Sequence, residues 1–127
     1  MTLNLTLAAD LPLVRADPAA VEQVLGNFLD NALKYAAQGG VIAVDALVEG
    51  PAMRISVRDC GPGIGPEHLP RLFERFYRVD NGRSRAAGGT GLGLAIAKHL
   101  AESMHGQVGV HSVVGQGSVF WLQVPLA

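Results

Sequence analysis

One helical period dominates the chain between Val21 and Ala36. Val21, Val24, Leu25, Phe28, Leu29, Ala32, Leu33 and Ala36 recur at i, i+3, i+4, i+7 and onward, which puts them on one face. Asp17 before Pro18 reads as the helix start, a side-chain cap followed by the residue best suited to the first helical position. Gly39 and Gly40 end the helical region. A face that apolar has to be buried against other elements, and the flanking sequence supplies strands. Leu3, Leu5 and Leu7 alternate with Asn4 and Thr6. Leu11 to Arg15 is a short extended piece, placed at an edge by Pro12. Val41 to Val48 is rich in β-branched residues. Met53, Ile55 and Val57 alternate with Arg54, Ser56 and Arg58, and Val108–Val113 and Ser118–Val124 read as two closing strands around a Gly115-Gln116-Gly117 turn.

Two further helical pieces are expected. Pro66 to Phe73 reads as a short one, followed by an aromatic cluster of Phe73, Phe76 and Tyr77 that reads as satellite core. Arg71, Arg75 and Arg78 fall on one face of such a piece and read as solvated. In the other, Leu92, Ile96, Ala97, Leu100, Ala101 and Met104 share a face, and His105-Gly106 reads as the stop, with Gly106 past the end.

The whole chain limits what these pieces can be for. Its 127 residues form one domain, 1–127, with enough length for a real core. A net charge of −1 gives no basic excess for nucleic acid or an anionic membrane. No apolar run approaches the ~20 residues of a membrane span, and the opening residues lack the pattern of a signal peptide. The one cysteine, Cys60, excludes an internal disulfide and fits a reducing, cytoplasmic setting.

Three stretches carry chemistry. Gly88-Gly89-Thr90-Gly91-Leu92-Gly93-Leu94 opens the last helix, where unpaired amide N–H groups and the helix dipole favour an anion, above all phosphate; a flexible loop before a helix is the plain alternative. Asn27, Asn31 and Lys34, at i, i+4 and i+7 beside the apolar face, line up two carboxamides and an ammonium. Amide oxygens suit magnesium and the ammonium suits phosphate, whereas an ordinary solvated face would favour better helix formers than Asn. Asp59 continues the apolar side of its strand, so its carboxylate needs a partner. It either caps the turn at Gly61-Pro62-Gly63 or accepts a ligand N–H at a pocket floor.

Taken together and in order, these motifs resemble those of the catalytic, ATP-binding domain of sensor histidine kinases. That domain belongs to the superfamily that includes DNA gyrase, the Hsp90 chaperone and the mismatch-repair protein MutL. Asn27-Phe28-Leu29-Asp30-Asn31-Ala32-Leu33-Lys34-Tyr35 resembles its N box and Asp59-Cys60-Gly61-Pro62-Gly63-Ile64 its first glycine box. Phe73-Glu74-Arg75-Phe76-Tyr77-Arg78 resembles its aromatic box, Gly89-Thr90-Gly91-Leu92-Gly93-Leu94 its second glycine box, and Gly117-Ser118-Val119-Phe120 a weaker last one. The resemblance covers essentially the whole chain.

It implies an α/β fold: a two-layer sandwich with a mixed, mostly antiparallel sheet of about five strands and three helices on one face. It implies ATP and Mg2+ as ligands, with Asn31 the principal magnesium ligand, Asn27 assisting near the phosphates, and Lys34 on phosphate. Tyr35, Ile64, Phe76, Arg78 and Leu92 join the nucleotide pocket by the same resemblance. Asp59 accepts from the adenine amino group; Gly61, Gly63, Gly89, Gly91 and Gly93 shape the pocket; Thr90 faces phosphate; and residues 78–88 form an ATP lid.

The gyrase and chaperone relatives carry a water-activating glutamate where this chain has Asn27, which cannot act as a carboxylate base. The resemblance therefore implies phosphoryl transfer to a protein histidine rather than hydrolysis. No histidine here has the family's acceptor context: His68, His99, His105 and His111 read as structural or surface residues. The acceptor is expected on a separate dimerisation domain, with a response regulator downstream, and the chain as the cytoplasmic catalytic part of a larger protein whose membrane anchoring is left open. A nucleotide-binding module without transfer and a hydrolysing conformational switch are the competing readings.

Overall fold

A computed structural model describes residues 2–7, 11–36, 40–77 and 92–127, apart from the side chains of residues 2, 35 and 36. Strand β1 (Thr2–Thr6) leads through helix α1 (Pro18–Ala36) to β2 (Val41–Glu49) and β3 (Ala52–Asp59). A 3-10 turn at Leu69–Arg71 follows, then helix α2 (Gly93–Ser103), β4 (Gln107–Val113) and β5 (Gly117–Pro125). The sheet order is β1-β2-β3-β5-β4, with β1 parallel to β2 and every other pair antiparallel. This is the mixed five-stranded sheet of the expected two-layer fold. The 11–15 stretch makes a single bridge, Val14 to Leu126, rather than a strand.

Helix α1 begins as its sequence dictates: the Ala19 amide donates to Asp17 Oδ1 at 3.1 Å. Ala20, Val24, Phe28 and Ala32 are buried, and the Phe28 ring meets Phe120 of β5 at 5.5 Å between centroids. Phe73 adds an edge-on contact to Phe120 at 6.4 Å. Ala97 and Ala101 of α2, and Met104 just past its end, add to this core. Two expected core positions lie outward instead: Leu33 is 49% exposed and Ile96 40%. Each sits at the margin of its helical face, where the periodicity is satisfied but no described element covers it.

The helical piece expected at 66–73, the third helix of the expected layer, is only the 3-10 turn Leu69–Arg71. The hydrogen bonds there run His68 N to Gly65 O, Arg71 N to His68 O, Glu74 N to Arg71 O and Tyr77 N to Glu74 O, all with i→i−3 spacing. Pro70 has no amide to give Pro66 the i→i−4 bond of an α-helix, so the segment advances by tight turns. The aromatic cluster splits accordingly: Phe73 enters the core and Phe76 is 69% exposed at φ 65°. Tyr77 packs with His68, whose Nδ1 hydrogen-bonds its hydroxyl, beneath the Arg71 guanidinium at 4.6 Å. Arg71 pairs with Glu74 at 3.1 Å, a hydrogen bond that raises the guanidinium pKa further.

The end of α2 falls at the expected stop, with Gly106 past it, and it is His105 that takes the left-handed conformation, at φ 61°. Its amide donates to Glu102 O and that of Gly106 to Ala101 O, the double bond pattern of a Schellman cap. Gly106 is needed for packing: a Cβ there would lie 2.3 Å from the Gln123 carbonyl oxygen.

On the sheet face away from the helices, Trp121 lies across Gly109, where a Cβ would stand 2.1 Å from the indole, and Arg54 stacks on the ring at 4.2 Å. Gly109→Ala is expected to push the indole off this seat and to cost about 1–3 kcal/mol, as overpacking does. Trp121 is the single tryptophan, so its emission shifting to the red in parallel with a lowered denaturation midpoint checks this; an unmoved spectrum contradicts it.

Candidate nucleotide site

The first part of the site is built where α1 meets the start of α2. Asn27, half-buried on α1, donates its Nδ2 to the Gly93 carbonyl at 3.0 Å. The N-box helix is thereby tied to the glycine-rich entry of α2; a Cβ on Gly93 would make only ordinary contact with the Asn27 carboxamide, at 3.7 Å, so this bond does not itself require the glycine. With its nitrogen committed, Asn27 has its carboxamide oxygen to offer. One turn on, Asn31 is half-buried and Lys34 exposed, and neither has a side-chain partner among the described residues. Together these make a polar edge of two amide oxygens and one cation. Among the described residues no cluster of three His, Cys, Asp or Glu side chains could hold a metal, so a hard cation here would take amide oxygens and ligand oxygens.

The second part lies at the end of β3. Asp59 is 8% exposed on the helix-facing side, and its Oδ1 accepts two backbone amides, Gly61 at 3.0 Å and Ser118 at 3.2 Å. The turn-capping role is therefore real, and it occupies one oxygen; Oδ2 has no bond from the described residues. The loop after Asp59 is held against the β4–β5 hairpin. Gly63 adopts φ +78°, and a Cβ on it would come within 2.3 Å of the Val113 carbonyl oxygen. The Ile64 amide donates to Ser112 Oγ at 2.8 Å and the Gly115 amide to the Pro62 carbonyl at 2.7 Å. Gly117 lets β5 close in, since a Cβ there would stand 2.1 Å from the Asp59 carbonyl oxygen.

Ser112 and Ser118 belong to this structure, and the motif reading did not weigh their side chains. The register pairs Ser112 with Ser118, Ser118 with Asp59 and Asp59 with Ile42, so four strands contribute one row of inward-facing residues. A signal for them was present. Ser112 keeps the parity of Val108 and Val110, and Ser118 that of Phe120, Leu122 and Val124. A polar residue on an apolar parity was the same clue that singled out Asp59.

The remaining expected residues fall into two groups. Leu92 and Phe76 line a cavity of about 200 Å³ with Arg75, Ala95, Ile96 and His99, on the outer side of α2. Arg78, Gly89, Thr90, Gly91 and the 78–88 lid lie outside the described residues, as does the side chain of Tyr35. No described helix is long and apolar enough to cross a membrane.

Residues 16–127 match the family described as "Histidine kinase-, DNA gyrase B-, and HSP90-like ATPase", and the chain belongs to that family. Among curated relatives it is 42% identical over 122 residues to the sensor protein GacS of Pseudomonas syringae pv. syringae, covering 92% of this chain and 14% of GacS. It is 43% identical over 112 residues to the sensor-like histidine kinase SenX3 of Mycobacterium tuberculosis, covering 88% of this chain and 27% of SenX3. The chain thus spans less than a third of the length of either. Among solved structures, full-length ShkA in complex with AMPPNP superposes with a TM-score of 0.83 at 37% identity, over 98% of this chain and 25% of ShkA. The mycobacterial sensor histidine kinase MprB gives 0.81 at 28% identity, over 98% of this chain and 82% of that one.

The glycine contacts make a paired prediction. Gly63 and Gly115 both have left-handed φ, but a Cβ at Gly115 meets nothing within 4 Å. Gly115→Ala is expected to cost about 1–2 kcal/mol, the price of the conformation alone. Gly63→Ala adds a backbone clash and is expected to cost more. Chemical denaturation of the two variants side by side checks this; equal losses contradict the close approach at Gly63.

Proposed function

We propose that this chain binds magnesium–ATP and passes the γ-phosphoryl group to a histidine on a separate phosphoacceptor domain, as the catalytic part of a sensor histidine kinase acting in two-component signalling. The observation that carries the reading is Asp59: a buried carboxylate with one oxygen saturated by two amides and the other left for a ligand donor, beside a loop that can accept a flat base closely. The names of the relatives, a sensor protein (GacS) and a sensor-like histidine kinase (SenX3), and the AMPPNP in complex with ShkA support it.

In this reading Asp59 Oδ2 accepts from the adenine amino group. Gly61 and Gly63 let the backbone approach the ring, and Ile64 packs beside it. The phosphates lie toward α1 and the entry of α2, where Lys34 supplies positive charge and where, by the family resemblance, Thr90 and its adjoining amides face phosphate. Asn31 and the carboxamide oxygen of Asn27 suit a magnesium ion, which when bound neutralises charge on the phosphate chain. The acceptor imidazole brings its own nucleophilic nitrogen; it forms the new bond to the γ-phosphorus as the bond to the β-phosphate oxygen breaks and ADP leaves. The chain's part is positioning and charge neutralisation.

Asn27 bears on the choice between transfer and hydrolysis. It has no carboxylate to take a proton from water, and its amide N–H is engaged by Gly93. That favours transfer over an ATP-hydrolysing switch. The histidine-bearing dimerisation domain and a response regulator are the partners this function requires.

Asp59→Ala is expected to weaken ATP binding by about 10–100-fold, the loss of a charge-assisted hydrogen bond, while leaving the preference between ATP and ADP unchanged. Asn31→Ala is expected to remove the magnesium-dependent part of the affinity. Calorimetric titrations with and without EDTA check both. Wild-type affinity in Asp59→Ala contradicts the base assignment, and an intact magnesium effect in Asn31→Ala contradicts the metal assignment.

A further inference from the structure

The serine row beside Asp59 has a proton order that the contacts themselves fix. Ser112 Oγ touches three groups: the Ile64 amide at 2.8 Å, the Gly117 carbonyl at 2.9 Å and Ser118 Oγ at 2.8 Å. The amide can only donate and the carbonyl can only accept, whereas a hydroxyl has one proton and two lone pairs. One arrangement satisfies all three contacts. Ser112 gives its proton to Gly117, accepts from Ile64, and accepts from Ser118. The Ser118 hydroxyl, on a residue only 6% exposed, has then spent its proton and retains lone pairs alone. Its neighbour across the register is Asp59, which receives the Ser118 amide on Oδ1.

Two polar side chains at this end of the sheet are thus acceptors and nothing else: the carboxylate of Asp59 and the hydroxyl of Ser118. A purine with an amino group at position 6 brings donors to such a floor. In the same pose a purine with a keto oxygen at position 6 sets an acceptor against those acceptors, a mismatch that buried polar groups penalise strongly; the N1–H and 2-amino donors of guanine reach the floor only if the ring shifts from that pose.

We propose that Ser112 is a positioning residue for nucleotide selection: by claiming the Ser118 proton it holds the floor beside Asp59 acceptor-only, and so favours ATP over GTP. The inference rests on the adenine reading of Asp59 and extends it to residues on β4 and β5. Without Ser112 the Ser118 hydroxyl is free to turn and donate to a keto oxygen. The same change strips Ile64 and Gly117 of a partner, a loss of stability that bears on both nucleotides alike.

The test is equilibrium binding of ATP and of GTP, each with magnesium, to the wild-type chain and to Ser112→Ala, Ser112→Thr, Ser118→Ala and Asp59→Asn. Ser112→Ala is expected to narrow the ATP-to-GTP affinity ratio about tenfold or more, and Ser112→Thr, which retains the hydroxyl, to preserve it. Ser118→Ala is expected to lower ATP affinity more than GTP affinity, and it decides the matter if Ser112→Ala does not fold. Equal weakening of both nucleotides, with the ratio unchanged in these alanine variants, makes the serines a structural tie only and overturns the proposal. Asp59→Asn separates the two layers of the argument. If it collapses the preference while the serine variants leave it intact, only the role of Ser112 fails. If the wild type shows no preference and Asp59→Asn changes nothing, the adenine reading fails and this inference with it.

Discussion

Asp59 is the residue on which the site's geometry depends. A carboxylate on the inward side of a strand is costly unless it is bonded, and here the two bonds come from different places: the Gly61 amide two residues on and the Ser118 amide across the sheet. One oxygen therefore fastens the glycine loop to β3 and β3 to the closing hairpin. The hairpin can reach it only because Gly117 has no side chain, and the loop can lie against Val113 only because Gly63 has none. Sheet register, loop path and carboxylate orientation are a single solution, so a change at any of the three disturbs the others.

The second constraint is the bond from Asn27 to Gly93. It couples the two helices at the place where α2 begins, with its first amides lacking helical partners. A carboxamide suits that position because it can donate to the carbonyl and still present an oxygen outward. A carboxylate has no proton to donate. The residue that ties α1 to the entry of α2 is thus one whose chemistry, in the function we propose, argues against water activation.

Much of this was legible in the chain because it followed regular periods or short motifs. The 3.6-residue pattern of Val24, Phe28 and Ala32 set the core face of α1, and the two-residue pattern of Met53, Ile55 and Val57 set Asp59 inward. What was not legible depended on distant partners. Periodicity put Leu33 and Ile96 with the core, but whether an element covers them is a tertiary matter. The 66–73 segment had a helical look, yet the missing amide of Pro70 gave it 3-10 turns. At the end of α2 the stop at His105-Gly106 was legible, but not that His105 would take the left-handed turn while Gly106 packs closely on Gln123. Ser112 carried its clue in its parity with Val108 and Val110, and its meaning came only from a register joining β4, β5 and β3.

The central claim is transfer to histidine, and the most direct measurement uses γ-labelled ATP. The chain is incubated alone and then with the separately made phosphoacceptor domain of a sensor histidine kinase, while acid-labile protein phosphate and free phosphate are followed together. The account predicts label on the added phosphoacceptor domain and little free phosphate. Steady release of free phosphate with no protein label would contradict it and make the chain an ATP-hydrolysing switch.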